Sequence, residues 1–487
     1  MRSRWVAAAL VTAFASPAFA DGGYFAGSKG ARMAGRGGAF VVKADDVMAS
    51  AINPAGLARL DGTTVQVGNR FSHHGQSYER QPTLDWAKNG SIPPYVEFDK
   101  VDNGKPWMLL DPLLGVTTDF GLDDFGFAFL AYAPPGVREQ EFPVDGGQRY
   151  MLVSRQGEIL NYGLSASWKY KDLFGIGATF QWLYLRSLEV QIVIDGSPLL
   201  AAANPVDSTY DILSTITVSD PFTPQAIVGA WVSPTPWLQF AVSGQVIPTS
   251  WEAKGTLEVD APTLDEDPIL VRGEYGVDPV DDVTMELPLP LTGRAGVRFV
   301  GLEQGKERFD VEFDVVYETW SRVDHLTIDS NDMYAKMLGQ SISLGTIEVE
   351  KQWQDTLGFH LGGDYMVLPE LLALRAGTYY ETAVALPEYA NVDFPSGEHV
   401  GLGLGGSVFA GPLEVALAYE LRHQLERGVT EGDGKVYQIA PASLCEPPYT
   451  VESGCRAQYE GQPAPTVNGG RYQATSHSVS LDLRYRF

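Results

Sequence analysis

Side chains that could support catalysis are few and scattered along this 487-residue chain. A hydrolase or acyltransferase needs a nucleophile with a base in reach, and the chain offers seven histidines. His73-His74 falls in a long connection that reads as a solvated turn. His360 and His477 fall on strand-like runs and read as ordinary wall residues. No nucleophile-elbow motif accompanies them, so no enzymatic activity is expected. Cys445 and Cys455, with nine residues between them in a Pro/Gly-rich stretch, predict a loop-closing disulfide in an exported protein. Their neighbourhood lacks further ligands, so neither a metal site nor a cofactor is expected.

The more informative chemistry is that of a seal. Residues 30–60 contain no strand-like run, yet they are too apolar for a tail. Glycine and alanine crowd residues 30–39, a helix-like piece follows at 45–51, and Asn53-Pro54-Ala55-Gly56 ends it. Asp45 and Asp46 open the helix-like piece. Attached to a membrane barrel, such a segment belongs inside it as a plug. Glycine tolerates the backbone angles a shifting plug would need, whereas Pro54 fixes its own φ and restrains Asn53.

The elements that must hold this segment follow from export. Arg2 and Arg4 precede an apolar core over residues 5–15, and Ala18-Phe19-Ala20 forms a cleavage site, so residues 1–20 read as a signal peptide. No later stretch is long and apolar enough for a membrane helix. The composition, with 52 Gly, 22 Tyr, 22 Phe and 10 Trp, suits an outer-membrane barrel with aromatic girdles. A net charge of −26 argues against nucleic acid as a partner. Most of those carboxylates read as solvated loop residues, although Asp265, Glu266 and Asp267 have the chemistry to share a divalent cation with lipopolysaccharide.

The last ten residues alternate cleanly, with Val479, Leu481, Leu483, Tyr485 and Phe487 between Ser480, Asp482, Arg484 and Arg486. One face suits lipid and the other a polar lumen. The pattern recurs at 309–317, 357–365, 413–421 and 174–184. Short connections near 121–124, 170–173, 233–236, 301–306, 367–370 and 410–411 alternate with long ones near 73–108, 135–157, 187–223, 261–284, 321–351, 383–397 and 424–473. Six turns and seven loops predict an all-β, antiparallel transmembrane barrel of about fourteen strands. The expected organisation is a signal peptide at 1–20, a plug at 21–62 and a barrel at 63–487. The 187–223 loop carries Leu199, Leu200, Ile212, Leu213 and Phe222, which pack together, on lipid, or around an apolar ligand.

Three blocks resemble the FadL-type family of outer-membrane transporters for long-chain fatty acids and other hydrophobic compounds. The first is the plug, with Gly30-Ala31-Arg32, residues 35–40, Ala44-Asp45-Asp46 and Asn53-Pro54-Ala55. The second is residues 317–326, with a Trp320-Ser321 pair, and the third is Trp353-Gln354-Asp355-Thr356, continuing through Gly377 to Pro387 and Pro395. The resemblance implies a bacterial outer-membrane location and a hatch that gates the lumen. It implies a first ligand contact on loops 187–223 and 248–290, then a tighter site beside the hatch. It also implies lateral release into the membrane at a kink in the third strand, here residues 124–133 followed by Pro134-Pro135-Gly136. A fatty acid carboxylate would need a donor, for which arginine's fork is best suited; Arg149, Arg155 and Arg32 are candidates. The chain is expected to be a monomer whose terminal Phe487 is read by the barrel-assembly machinery, with membrane lipid and lipopolysaccharide around it. A general diffusion porin is the competing expectation, but a porin needs no plug.

Overall fold

The computed structural model describes residues 27–84, 95–134, 136, 139–195, 206, 208–209, 211–261, 267–337, 340–344, 346–430, 432–436 and 466–487. The expected signal peptide therefore lies outside the described residues, as do Leu199, Leu200, Cys445, Cys455, Asp265 and Glu266.

Fourteen antiparallel staves close into a barrel. In chain order they are β1 (Thr64–Arg80), β2 (Val101–Asp102, Trp107–Met108 and Pro112–Thr118), β3 (Phe125–Tyr132 and Gln140–Glu141), β4 (Ser154–Tyr170) and β5 (Phe174–Asp195). Next come β6 (Asp211–Thr235), β7 (Leu238–Gln245 and Ser250–Asp260), β8 (Asp282–Pro288 and Thr292–Glu303), β9 (Lys306–Glu318 and His325–Asp329) and β10 (Thr346–Glu350 and Thr356–Leu368). The last are β11 (Leu372–Glu381), β12 (His399–Ala410), β13 (Leu413–Gln424 and Arg427–Val429) and β14 (Gly470–Arg486). Closure comes from β1 pairing with β14 along its whole length, from Thr64↔Arg486 to Arg80↔Gly470. Closure leaves the sheet with no free first or last edge, as a strand structure in hydrocarbon requires.

The burial pattern is that of a barrel in lipid. On β14, Val479 and Leu483 are 40% and 47% exposed, whereas Ser480 and Asp482 are 2% and 1% exposed. Apolar side chains face outward and polar ones inward, the reverse of a water-soluble sheet. The protein is a transmembrane barrel, and the six short turns fall where the sequence places them.

Several long connections are shorter than expected because the strands rise beyond the bilayer. β1 continues to Arg80, so His73-His74 lies on a strand and not in a solvated turn. β5 and β6 pair up to Asp195↔Asp211, which moves Ile212, Leu213 and Phe222 from loop to strand. Register shifts near Leu185 break the two-residue alternation there and conceal the continuation.

Stave β3 is interrupted. Tyr132 pairs with Asn161, and the next β3 pairing is Gln140 with Arg155. Among the described residues, none of β3 pairs with residues 156–160 of β4, beside Pro134. Proline supplies no N–H to continue a ladder.

Candidate functional site

The first component is the N-terminal segment, which lies within the barrel. It forms a helix at Ala31–Gly35, a shorter one at Ala49–Ile52 and a 3₁₀ turn at Pro54–Arg59. The expected helix at 45–51 is thus later and briefer. Asp46 instead turns the chain by accepting from the Met48 N–H at 2.8 Å.

Asn53 is fully buried and ties the 3₁₀ turn to Val41. Its Oδ1 accepts from the Ala55 N–H at 3.2 Å, capping the 3₁₀ turn, while its Nδ2 donates to the Val41 carbonyl at 2.9 Å. Pro54 occupies the first turn, where its missing N–H costs nothing. The wall makes room with two glycines in register, Gly177 of β5 and Gly229 of β6. A Cβ on Gly229 would lie 2.0 Å from Asn53 Oδ1, and one on Gly177 would lie 2.5 Å from the Pro54 carbonyl carbon. Trp231 donates its indole N–H to the Ala55 carbonyl at 2.9 Å. Gly56 has the same role inside the segment, since a Cβ there would lie 2.3 Å from the Ala44 carbonyl oxygen. We predict that Gly229→Val displaces the Asn53 turn at a cost of about 1–3 kcal/mol, read as faster proteolysis of the N-terminal segment in an otherwise assembled barrel.

Buried charge secures the other side. Arg36 reaches Asp310 at 2.7 Å, Glu312 at 2.8 Å and Asp364 at 2.6 Å. Lys43 pairs with Asp310 at 2.7 Å, and the N–H groups of Phe40 and Val41 donate to Asp314 at 2.7 and 2.9 Å. Arg32 pairs with Asp45 at 2.5 Å, which commits this arginine to the segment.

The second component is an apolar cavity of about 110 Å³ above the segment. Ile159, Leu188, Ile216, Val218, Trp251 and Met285 line its walls. Arg155, Lys351 and Asp393 meet at its edge. The Arg155 guanidinium lies over the Phe394 ring at 4.2 Å, and buried Lys351 pairs with Asp393. Phe394 packs edge-on against Trp353 at 5.7 Å, and Trp353 against Trp320 at 5.3 Å. The second and third sequence blocks therefore meet beside this cavity.

A more polar cavity of about 170 Å³ lies below it, against Met33, Met48 and Ile52 of the N-terminal segment. Leu287 lines the upper cavity and Leu289 the lower. Tyr132, Pro134 and Asn161 line the lower one at the interruption in β3.

Of the ligand candidates, Arg155 is the one at the apolar cavity. Arg149 is held elsewhere, 2.6 Å from Asp211 and 2.9 Å from the Tyr150 hydroxyl. Burial opposes its charge, yet Tyr150 and Asp211 hold its pKa above the usual value. Burial likewise pushes the Tyr150 phenol up. Ile212 packs with Ala261, and Leu213 against the cluster around Val153 and Val193. Phe222 is 56% exposed beside Trp182 on the outer wall. Lys351 and Phe394 were missed by sequence reasoning. The only signal for them was proximity to Trp353 and Pro395.

Residues 11–453 match the family described as Outer membrane protein transport protein (OMPP1/FadL/TodX). No curated protein sequence matches the chain. Among solved structures, a Pseudomonas aeruginosa FadL homologue is similar at 17% identity and TM-score 0.69, covering 97% of this chain and 100% of that one. The Pseudomonas putida toluene transporter TodX is similar at 15% identity and TM-score 0.62, covering 95% and 99%. The Ralstonia pickettii toluene transporter TbuX follows at 12% identity and TM-score 0.59, covering 94% and 98%. With a lumen occupied by its own N-terminal segment and a family match over nearly its whole length, the chain belongs to the FadL/TodX family of outer-membrane transporters of hydrophobic compounds.

Proposed function

We propose that this protein takes up long-chain fatty acids or related amphiphiles, with residues 21–62 acting as a hatch and the ligand leaving sideways into the membrane. The observation that carries the reading is the apolar cavity with Arg155 and Lys351 at one edge. The cavity walls would take the tail, which gains about 0.8 kcal/mol per CH₂ on leaving water. Arg155 would take the carboxylate, for which a planar fork is suited. From there the tail would pass Leu287 and Leu289 into the lower cavity. Among the described residues the wall there lacks ladder partners beside Pro134, so an apolar chain would meet lipid without crossing water. Asn53, Pro54, Ala55 and Gly56 would hold the hatch on the wall, and Asp45 and Asp46 would set its fold. A ligand favouring a displaced hatch would shift the gate by its differential affinity alone.

The cavity's size favours a second reading. A cavity of roughly 150 Å³ holds one benzene ring, so about 110 Å³ is closer to the needs of a single ring than to those of a long acyl chain. The solved relatives named toluene transporters fit that reading. Arg155→Gln discriminates: fatty acid affinity is expected to fall roughly tenfold while toluene affinity stays unchanged. Tight toluene binding with no measurable oleate binding to the wild-type protein would refute the fatty acid reading.

A further inference from the structure

The outer wall holds a second cluster, apart from the transport route. On β1 and β14 the lipid-facing apolar side chains end with Phe71 and Val479, which are 43% and 40% exposed, and on β13 they run through Tyr419, 36% exposed, to Leu421. One step further out the same faces carry His73, His423 and His477. His73 and His477 are cross-strand partners with ring centres 6.4 Å apart, and His423 pairs across from Thr475. Trp107 of β2, 63% exposed, packs edge-on against His73 at 4.6 Å. On β1 and β14 these rings occupy the level where apolar wall gives way to polar wall, with Leu425, 38% exposed, just beyond His423; in an outer membrane that level is the headgroup layer of the outer leaflet.

Hydroxyl groups set the donors of two of the rings. The Tyr419 hydroxyl lies 2.8 Å from His477 Nδ1, and the Thr475 hydroxyl lies 2.9 Å from His423 Nδ1. When each hydroxyl donates to Nδ1, the proton of the neutral ring sits on Nε2, a donor left for an outside acceptor. A surface recess of about 370 Å³ opens beside them, lined by His73, Ser77, Asp102, Asn103, Gln473 and Thr475. Its one carboxylate, Asp102, is 3.8 Å from Lys100, and just above the recess Arg471 lies 3.8 Å from Glu426. For a chain of net charge −26, an outward group of three imidazoles beside a tryptophan stands apart from the acidic remainder. Tryptophan prefers the membrane interface, and clustered ring N–H donors suit a phosphate.

We propose that His73, His423 and His477 bind a phosphate of the outer-leaflet glycolipid, lipopolysaccharide, with Trp107 resting against its sugar–acyl boundary. The site grips the lipid around the barrel and takes no part in uptake. The test uses the full-length protein in detergent, with heat-modifiable gel mobility as the check that the barrel is intact. Native mass spectrometry counts bound rough-type lipopolysaccharide. H73N/H423N/H477N is expected to bind it roughly tenfold more weakly, and H73K/H423K/H477K to restore binding. Dephosphorylated lipopolysaccharide should bind the wild-type protein no better than it binds the asparagine variant. The proposal is overturned if the asparagine variant retains wild-type binding, if lysines fail to restore it, or if the dephosphorylated lipid binds as well. Complete displacement by millimolar inorganic phosphate would also overturn it, marking a site for free anions.

Discussion

Replacing Arg36 by leucine is expected to release the N-terminal segment while leaving the barrel standing. Arg36 is fully buried and bonds Asp310, Glu312 and Asp364 within 2.8 Å. Removing one partner of a buried ion pair costs about 3–5 kcal/mol, because the remaining charges lose compensation without regaining water. Lys43 and Arg298 still face Asp310, but Glu312 and Asp364 lose their closest cation. Strand pairing does not depend on Arg36, so heat-modifiable mobility should persist. Ion conductance in planar bilayers should rise, and protease added from the lumen side should cut the segment. Arg36→Lys should recover part of the effect, since an ammonium cannot span three carboxylates as a guanidinium does. Conductance unchanged from wild type in the leucine variant would show that the ion cluster does not hold the segment.

The second large effect is expected from filling the apolar cavity. Ile216 lies on its wall and is 6% exposed. Ile216→Trp would place the larger indole into the space of about 110 Å³ and exclude either a ring or an acyl chain. Ligand affinity should fall by roughly a hundredfold, about 2.8 kcal/mol, for oleate and toluene alike. That common loss separates the variant from Arg155→Gln, whose effect should follow the carboxylate. The overpacking itself is expected to cost about 1–3 kcal/mol, within the reach of a closed barrel. Retention of both ligands by an assembled Ile216→Trp protein would place the binding site elsewhere.

The barrel was legible in the sequence wherever lipid lies on one side and lumen on the other. Val479 to Phe487 alternate because hydrocarbon and polar interior differ sharply across a single stave. Above the bilayer that contrast disappears. Residues 72–80 of β1 are polar on both faces, so strand and turn read alike, and His73-His74 reads as a turn although it lies on the strand. The register shifts beside Leu185 hid the upper half of β5 in the same way. The plug was legible because an apolar, glycine-rich stretch without alternation has no place outside a barrel. Its seat was not, since Gly177 and Gly229 meet Asn53 and Pro54 only after closure. Arg155 and Arg149 could not be ranked from sequence, because what separates them is Asp211, a partner brought near by pairing of distant strands. Lys351 reaches Phe394 at 5.9 Å through the same long-range assembly.

The central claim is a route from the apolar cavity to the interruption in β3. It is tested most directly with a diazirine-bearing fatty acid, photolysed during uptake into intact outer membranes, and mass-spectrometric mapping of the labelled residues. The account predicts label on the cavity residues Ile216, Trp251 and Met285 and on Tyr132 and Pro134 beside the gap. Label concentrated instead on residues 57–60, with none near Tyr132, would mean passage straight through the hatch and would contradict lateral release.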